Sequence, residues 1–242
     1  MTSRDGRKGL GISVVVPWLR TAFAALGVIA LSVGYDRDLH THDAVNFFFY
    51  FTDLSNLFAA ALLLTGGIAA LRGRPGVPDL VRGSAALYLV ITGLVYWALL
   101  AGQMTAATIK WQNDIVHGVM PVVVLLDWLL LPPTARLSLA RTSRWLAFPL
   151  LYLAVSLVRG PLVQWWPYDF LDPREPGGYA HVATWSVIVT AVFVLFTVLI
   201  TAAGNRLGAR RYSGFASASA AAESGSSDGS PNAERNLSAR SA

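Results

Sequence analysis

A membrane span needs about 20 mainly apolar residues to cross roughly 30 Å of hydrocarbon. This chain of 242 residues holds six stretches near that length, at 13–34 (interrupted by Arg20), 46–71, 84–104, 115–131, 143–162 and 180–204. Lipid satisfies the backbone only of helices and closed barrels. Barrel strands alternate apolar and polar residues, which these runs do not. The sequence therefore predicts an all-α fold, a polytopic membrane bundle of six transmembrane helices. Composition agrees: 54% of the residues are hydrophobic and 14% charged, against about 25% charged in soluble domains. A soluble globule is excluded. The first run follows a basic start, as in a signal peptide, but no small-residue cleavage site follows it, so it reads as a retained span.

Lys and Arg set the orientation. With the N-terminus inside, 14 of the 19 basic residues fall on cytoplasmic segments and four (Arg37, Lys110, Arg159, Arg174) on outer ones. Arg20 is left to snorkel to the inner interface from the first span. Both termini are thus expected in the cytoplasm, with the bundle in the cell (plasma) membrane. The organisation is a basic N-terminus at 1–12, a transmembrane domain at 13–207 and a tail at 208–242. Rich in Ser, Ala and Gly, that tail reads as disordered. The net charge of +5 then records orientation rather than a nucleic-acid partner, which needs basic residues clustered on a soluble face. With no cysteine in the chain, disulfides, thiol nucleophiles and thiolate metal sites are excluded.

The fifth span is short, because Pro161 disfavours helix at Gly160. The segment after it, 163–172, carries Trp165, Trp166 and Tyr168. Two readings stay open for it: an interfacial aromatic anchor, or a wall of a binding pocket.

Polar groups at bilayer depth are functional hypotheses by default. The second span concentrates them in Thr52, Asp53, Ser55 and Asn56. Thr52, Ser55 and Asn56 share one helical face, with Asp53 flanking it, and that face must point into the bundle. Its structural alternative is interhelical hydrogen bonding. The fourth span offers Asn113, Asp114 and His117, with Asp114 three residues before the imidazole and placed to orient it. Entering from the outside, Thr52 and His117 lie at similar depths in the outer half. All four histidines (His40, His42, His117, His181) fall in that half, near Asp36, Asp38 and Asp43, but no metal-ligand spacing supports a metal site. Asp127, near the inner surface, is expected to pair with Arg136 or Arg141. No phosphate loop, dinucleotide fingerprint or nucleophile elbow is present, and no cofactor is expected.

Several motifs carry a family resemblance: Phe-Thr-Asp-Leu-Ser-Asn at 51–56, His-Gly-Val-Met-Pro at 117–121, Leu-Leu-Asp-Trp-Leu-Leu at 125–130, Arg159-Gly160, and Trp-Pro-Tyr-Asp-Phe-Leu-Asp at 166–172. Over about residues 20–207 the chain resembles the bacterial six-span integral membrane proteins of the Pr-six-Pr family. More distantly, it is similar to the androgen-induced membrane proteins of animals, which are intramembrane threonine hydrolases of fatty acid esters of hydroxy fatty acids. The resemblance implies Thr52 as nucleophile, His117 as its partner and a supporting or binding role for Arg159.

The leading expectation is a membrane-embedded lipid ester hydrolase. Thr52 attacks, His117 takes its proton, Asp114 orients His117, and Ser55 or Asn56 donates to the developing oxyanion. The expected partners are the bilayer and a lipid ester. The rival class is a non-enzymatic multi-pass protein: a small transporter or sensor with Asp53, Asn56 and His117 as a polar pathway, or an assembly protein.

Overall fold

The computed structural model describes residues 5–41, 44–103 and 108–227, with side chains over 15–41, 44–102 and 108–209. No strand occurs among the described residues. Six helices are long and apolar enough to cross a membrane: α1 (Val15–His40), α2 (Phe51–Leu71), α3 (Asp79–Leu100), α4 (Lys110–Leu130), α5 (Leu139–Val163) and α6 (Gly178–Ala209). The chain is an integral, multi-pass membrane protein. Helical backbone continues upstream of α1 to Asp5 and downstream of α6 to Ser227. The segment 208–227, whose composition predicts disorder, is thus helical. Its alanines have the highest helix propensity. The rest of the expected tail, 228–242, lies outside the described residues.

Two helices depart from α geometry. The end of α3, Tyr96–Leu100, and a turn of α4, Ile115–Val119, are π-helical. In α5 the helix passes Gly160 and runs through Pro161 to Val163, longer than the proline predicts. So close to the helix end, proline removes a single hydrogen bond. The helix then closes at Gln164, whose φ is 54° and whose N–H donates to the Gly160 carbonyl.

Between helices, lipid offers no hydrophobic driving force, and close backbone approach replaces it. Accordingly Ala30, Ala59, Ala60, Ala85 and Ala86 are fully buried, while Leu150, Val158, Leu162, Val187 and Leu195 are exposed on the outside of the bundle. α1 packs along α2, and α3 lies centrally against α2, α4 and α6. Two glycines seat two indoles: a Cβ on Gly83 would overlap the Trp145 ring, and one on Gly204 would come within 2.5 Å of Trp128. Trp128 Nε1 donates to the Ile200 carbonyl (3.1 Å).

The N-terminal parts of α1 and α3 meet the C-terminal end of α4 in a charged cluster. Arg20 donates to both Asp127 oxygens (2.6 and 3.1 Å), and Arg82 Nη2 donates to the same carboxylate (2.9 Å) and to the Leu131 carbonyl (2.8 Å). Arg82 also pairs with Asp79 (3.0 Å), which accepts the backbone N–H of Thr134 (2.8 Å). This corrects two expectations. Arg20 does not snorkel, and Asp127 pairs with Arg20 and Arg82 rather than with Arg136 or Arg141. Cations on the adjoining helices reach the carboxylate at depth, and a buried charge must be paired there. The functional residues gather at the opposite end of the bundle.

Candidate functional site

α2 begins at Phe51, straight after Tyr50 in extended geometry (φ −85°, ψ 131°), and no side chain caps it. The first N–H groups of a helix have no partner within it. Here the Phe51 N–H donates to the phenolic oxygen of Tyr168 (3.0 Å). Tyr168 comes from the α5–α6 connection, stacked on Phe170 (5.0 Å between centroids) and set edge-on to Tyr50. That connection is braced on both sides. A Cβ on Gly160 would overlap the Trp166 indole, and Arg174 lies 4.5 Å from the Trp166 ring while pairing with Asp172. The guanidinium holds the Asp172 carboxyl below the usual carboxylate range.

His117 sits in the π turn of α4. Its ring stacks on Tyr96 at 3.9 Å and 21°, and Asn113 Nδ2 donates to the Tyr96 hydroxyl (2.6 Å). Gly93 lets α3 come close here, since a Cβ would stand 3.1 Å from the His117 carbonyl. Trp97 Nε1 donates to that carbonyl (3.1 Å). His117 Nδ1 is 3.1 Å from the Asn113 carbonyl, and Nε2 is 3.2 Å from Thr52 Oγ1.

The ends of this network fix its proton polarity. A carbonyl only accepts, so Nδ1 carries the hydrogen and Nε2 the lone pair. Thr52 therefore donates its hydroxyl proton to Nε2. At the other end the Tyr168 oxygen accepts the Phe51 N–H (3.0 Å), and the phenol lies beside Thr52. Burial pushes the Tyr168 phenol up to about 12, against these hydrogen bonds to Thr52 and Phe51, so it stays protonated. The result is a directed relay from Thr52 through His117 to a backbone carbonyl, with the protonated Tyr168 beside it. Such an arrangement polarises a hydroxyl toward nucleophilic attack.

Thr52 also lines a cleft between α2, α3, α5 and α6. Its walls are apolar, with Phe51, Ile91, Tyr152, Phe170 and Phe193 among them, and Thr92, Ser186 and Thr190 are the other serine and threonine residues besides Thr52 that line it. Tyr168, Phe170 and Leu171 form part of the wall, so the aromatic connection serves as pocket wall at these residues.

The other expected site residues lie elsewhere. Ser55 Oγ donates to the Phe51 carbonyl (2.6 Å) and shares a hydrogen bond with Thr92 (3.0 Å). Asn56, fully buried, donates to the Thr52 and Val116 carbonyls (2.9 and 3.0 Å). Both pin α2 to its neighbours and have no proton left for an oxyanion, which corrects that assignment. Asp114 pairs with Lys110 (2.8 Å) rather than with His117. The π turn has more residues per turn than the α-helix, so the i, i+3 alignment expected from α geometry is lost. Asp53 flanks Thr52, and the charges acting on it are Asp38 and Arg37 of α1. Arg159 donates to Asn46 (2.6 Å) and lies over the Phe49 ring (3.8 Å), tying α5 to the turn before α2 and standing apart from the Thr52–His117 pair. His40 bonds the Asp36 carbonyl (2.7 Å) and His181 lies beside Trp185. Among the described residues no group of three or more His, Asp or Glu is placed to hold a metal; His42 and Asp43 lie outside them.

Three contributors were not assigned from sequence: the Tyr168 hydroxyl, the Tyr96 stacking face and the Asn113 carbonyl. Tyr168 had a signal, an aromatic in an irregular segment beside a span. A backbone carbonyl has none. No family model, curated protein or solved structure matches this chain.

Proposed function

We propose that this protein is a membrane-embedded hydrolase of lipid esters, with Thr52 as nucleophile and His117 as general base. The observation that carries this reading is the 3.2 Å contact between Thr52 Oγ1 and His117 Nε2, with Thr52 also lining an apolar cleft. Thr52 Oγ1 attacks the ester carbonyl carbon as its proton passes to Nε2. The imidazolium so formed keeps its Nδ1–H on the Asn113 carbonyl and lies over the Tyr96 face, an arrangement that favours a cation. As Oγ1 bonds the carbonyl carbon and the tetrahedral intermediate forms, the Tyr168 proton turns to its oxyanion. The imidazolium then protonates the leaving alkoxide, and a water deprotonated by His117 releases the acid and restores Thr52. The resemblance to bacterial six-span proteins and to animal threonine hydrolases supports the same reading. The distribution of basic residues supports cytoplasmic termini in the plasma membrane, with the site in the outer half.

The rival polar pathway finds less support. Asp127, the ionisable group toward the other end of α4, is held by Arg20 and Arg82 and offers no continuation. Turnover of p-nitrophenyl acyl esters by the purified protein in detergent tests the proposal. Thr52→Ala and His117→Ala, each verified as folded by its melting curve, are expected to lower the rate at least about 100-fold. Wild-type turnover in both variants would overturn the assignment.

A further inference from the structure

Hydroxyls on a membrane helix normally bond the carbonyl four residues earlier, and α6 follows this rule at three places. Thr184 donates to Ala180 (2.8 Å), Thr197 to Phe193 (2.8 Å) and Thr201 to Thr197 (2.7 Å). Ser186 breaks it. Its Oγ is buried without a hydrogen-bond partner, and the residue lines the cleft that Thr52 also lines. A buried polar atom left unpaired is costly, and the cost is relieved when a ligand supplies the missing partner.

Ser186 stands seven residues before Phe193, two helical turns or about 10 Å along the same face of α6. The Phe193 ring lies 5.6 Å from Phe51, the neighbour of Thr52, so Phe193 marks the level of the nucleophile. The preceding residue, Trp185, lies 6.2 Å from Phe170, which stacks on Tyr168. The unpaired hydroxyl is therefore in the same cleft but displaced from the reacting group. No Lys, Arg or His lines the cleft, so a carboxylate or phosphate beside Ser186 would be left without a counter-charge in an apolar wall.

We propose that Ser186 recognises a neutral oxygen, a hydroxyl or carbonyl, carried on the lipid chain about two helical turns from the ester held at Thr52. This rests on the reading of the cleft as the acyl-chain site. A site built to hydrogen-bond such a group discriminates against chains that lack it.

The test measures binding of methyl stearate and of methyl hydroxystearates, with the hydroxyl moved along the chain, to full-length Thr52→Ala protein in detergent. One hydroxyl position is expected to bind about tenfold tighter than the plain chain. The preference is expected to vanish in Thr52→Ala/Ser186→Ala and to persist with Ser186→Thr. Ser186→Ala on its own is expected not to lower the melting temperature, because the hydroxyl makes no bond in the empty protein. Equal affinities at every position, or a preference that survives removal of the hydroxyl, would overturn the proposal. Binding is read without the nucleophile, so its failure leaves the Thr52 assignment standing, and a failure of hydrolysis leaves the binding result standing.

Discussion

The direction of two hydrogen bonds decides the chemistry available to Thr52. Were Nδ1 of His117 an acceptor, Nε2 would carry a proton and Thr52 would have no base. The Asn113 carbonyl forbids that tautomer. Thr52→Ser keeps the hydroxyl and is expected to retain measurable turnover. Tyr168→Phe keeps the ring and removes the donor, and is expected to lower kcat by about 100-fold with a smaller change in KM. Tyr168 also gives a prediction in pH. Its phenol is raised from near 10 to about 12 by burial, so the folded state holds the proton more tightly than the unfolded one. The stabilisation is complete below pH 10 and is lost as pH rises from 10 to about 12, an effect of about 2–3 kcal/mol. Melting temperature against pH is expected to fall over that window, and to fall less steeply in Tyr168→Phe. An identical slope in the two proteins would contradict this role for burial.

At the scale of the helices, the charged cluster and the glycine contacts hold the bundle in register. Asp127 neutralises cations from both α1 and α3. Asp127→Ala strands the Arg20 guanidinium and leaves Arg82 with Asp79 alone as carboxylate partner, and is expected to cost about 3–5 kcal/mol, read from thermal melts in detergent. Arg20→Met combined with Asp127→Leu is expected to cost less than the two single changes added together, because the partners are coupled. Additive costs would mean that the 2.6 Å contact contributes no coupling. Gly83→Ala pushes into the Trp145 ring and is expected to lose about 1–3 kcal/mol. The six helices themselves were legible in sequence because length and apolarity suffice to identify a span. Their fine structure was not. The π turn that turns Asp114 toward Lys110 and away from His117 has no pattern in residue type, and neither Pro161 nor the tail composition marked where helices end. Partners across helices were equally hidden: Asp127 was visible as an ionisable group at depth, but which arginines reach it depends on which helices adjoin.

Across the whole molecule, polarity is arranged from the inside out. Small residues and hydrogen-bonded groups fill the interior, large aliphatic side chains face lipid, and the two charged or polar centres occupy opposite ends. The sequence singled out Thr52 and His117 because both are polar groups at similar depths in the outer half and match motifs of the family the chain resembles. It misassigned Ser55, Asn56 and Asp114, because residue type does not say whether a side chain's protons are already committed to a neighbouring carbonyl or cation. The proposed orientation in the membrane rests on the basic residues of the loops and is open to a direct test. Since the chain has no cysteine, single cysteines placed at Pro75 and Gln164 report it directly. The first is expected to react with an impermeant maleimide only after the cell is opened, and the second from outside; the reverse pattern would invert the topology.

In the proposed reaction Thr52 is the activated nucleophile. The most direct measurement is to treat the purified protein with a fluorophosphonate and locate the adduct by peptide mass spectrometry. Modification is expected at Thr52, absent in Thr52→Ala and slowed at least about 100-fold in His117→Ala. An adduct on Ser55 or Ser186, or labelling undiminished in Thr52→Ala, would contradict it.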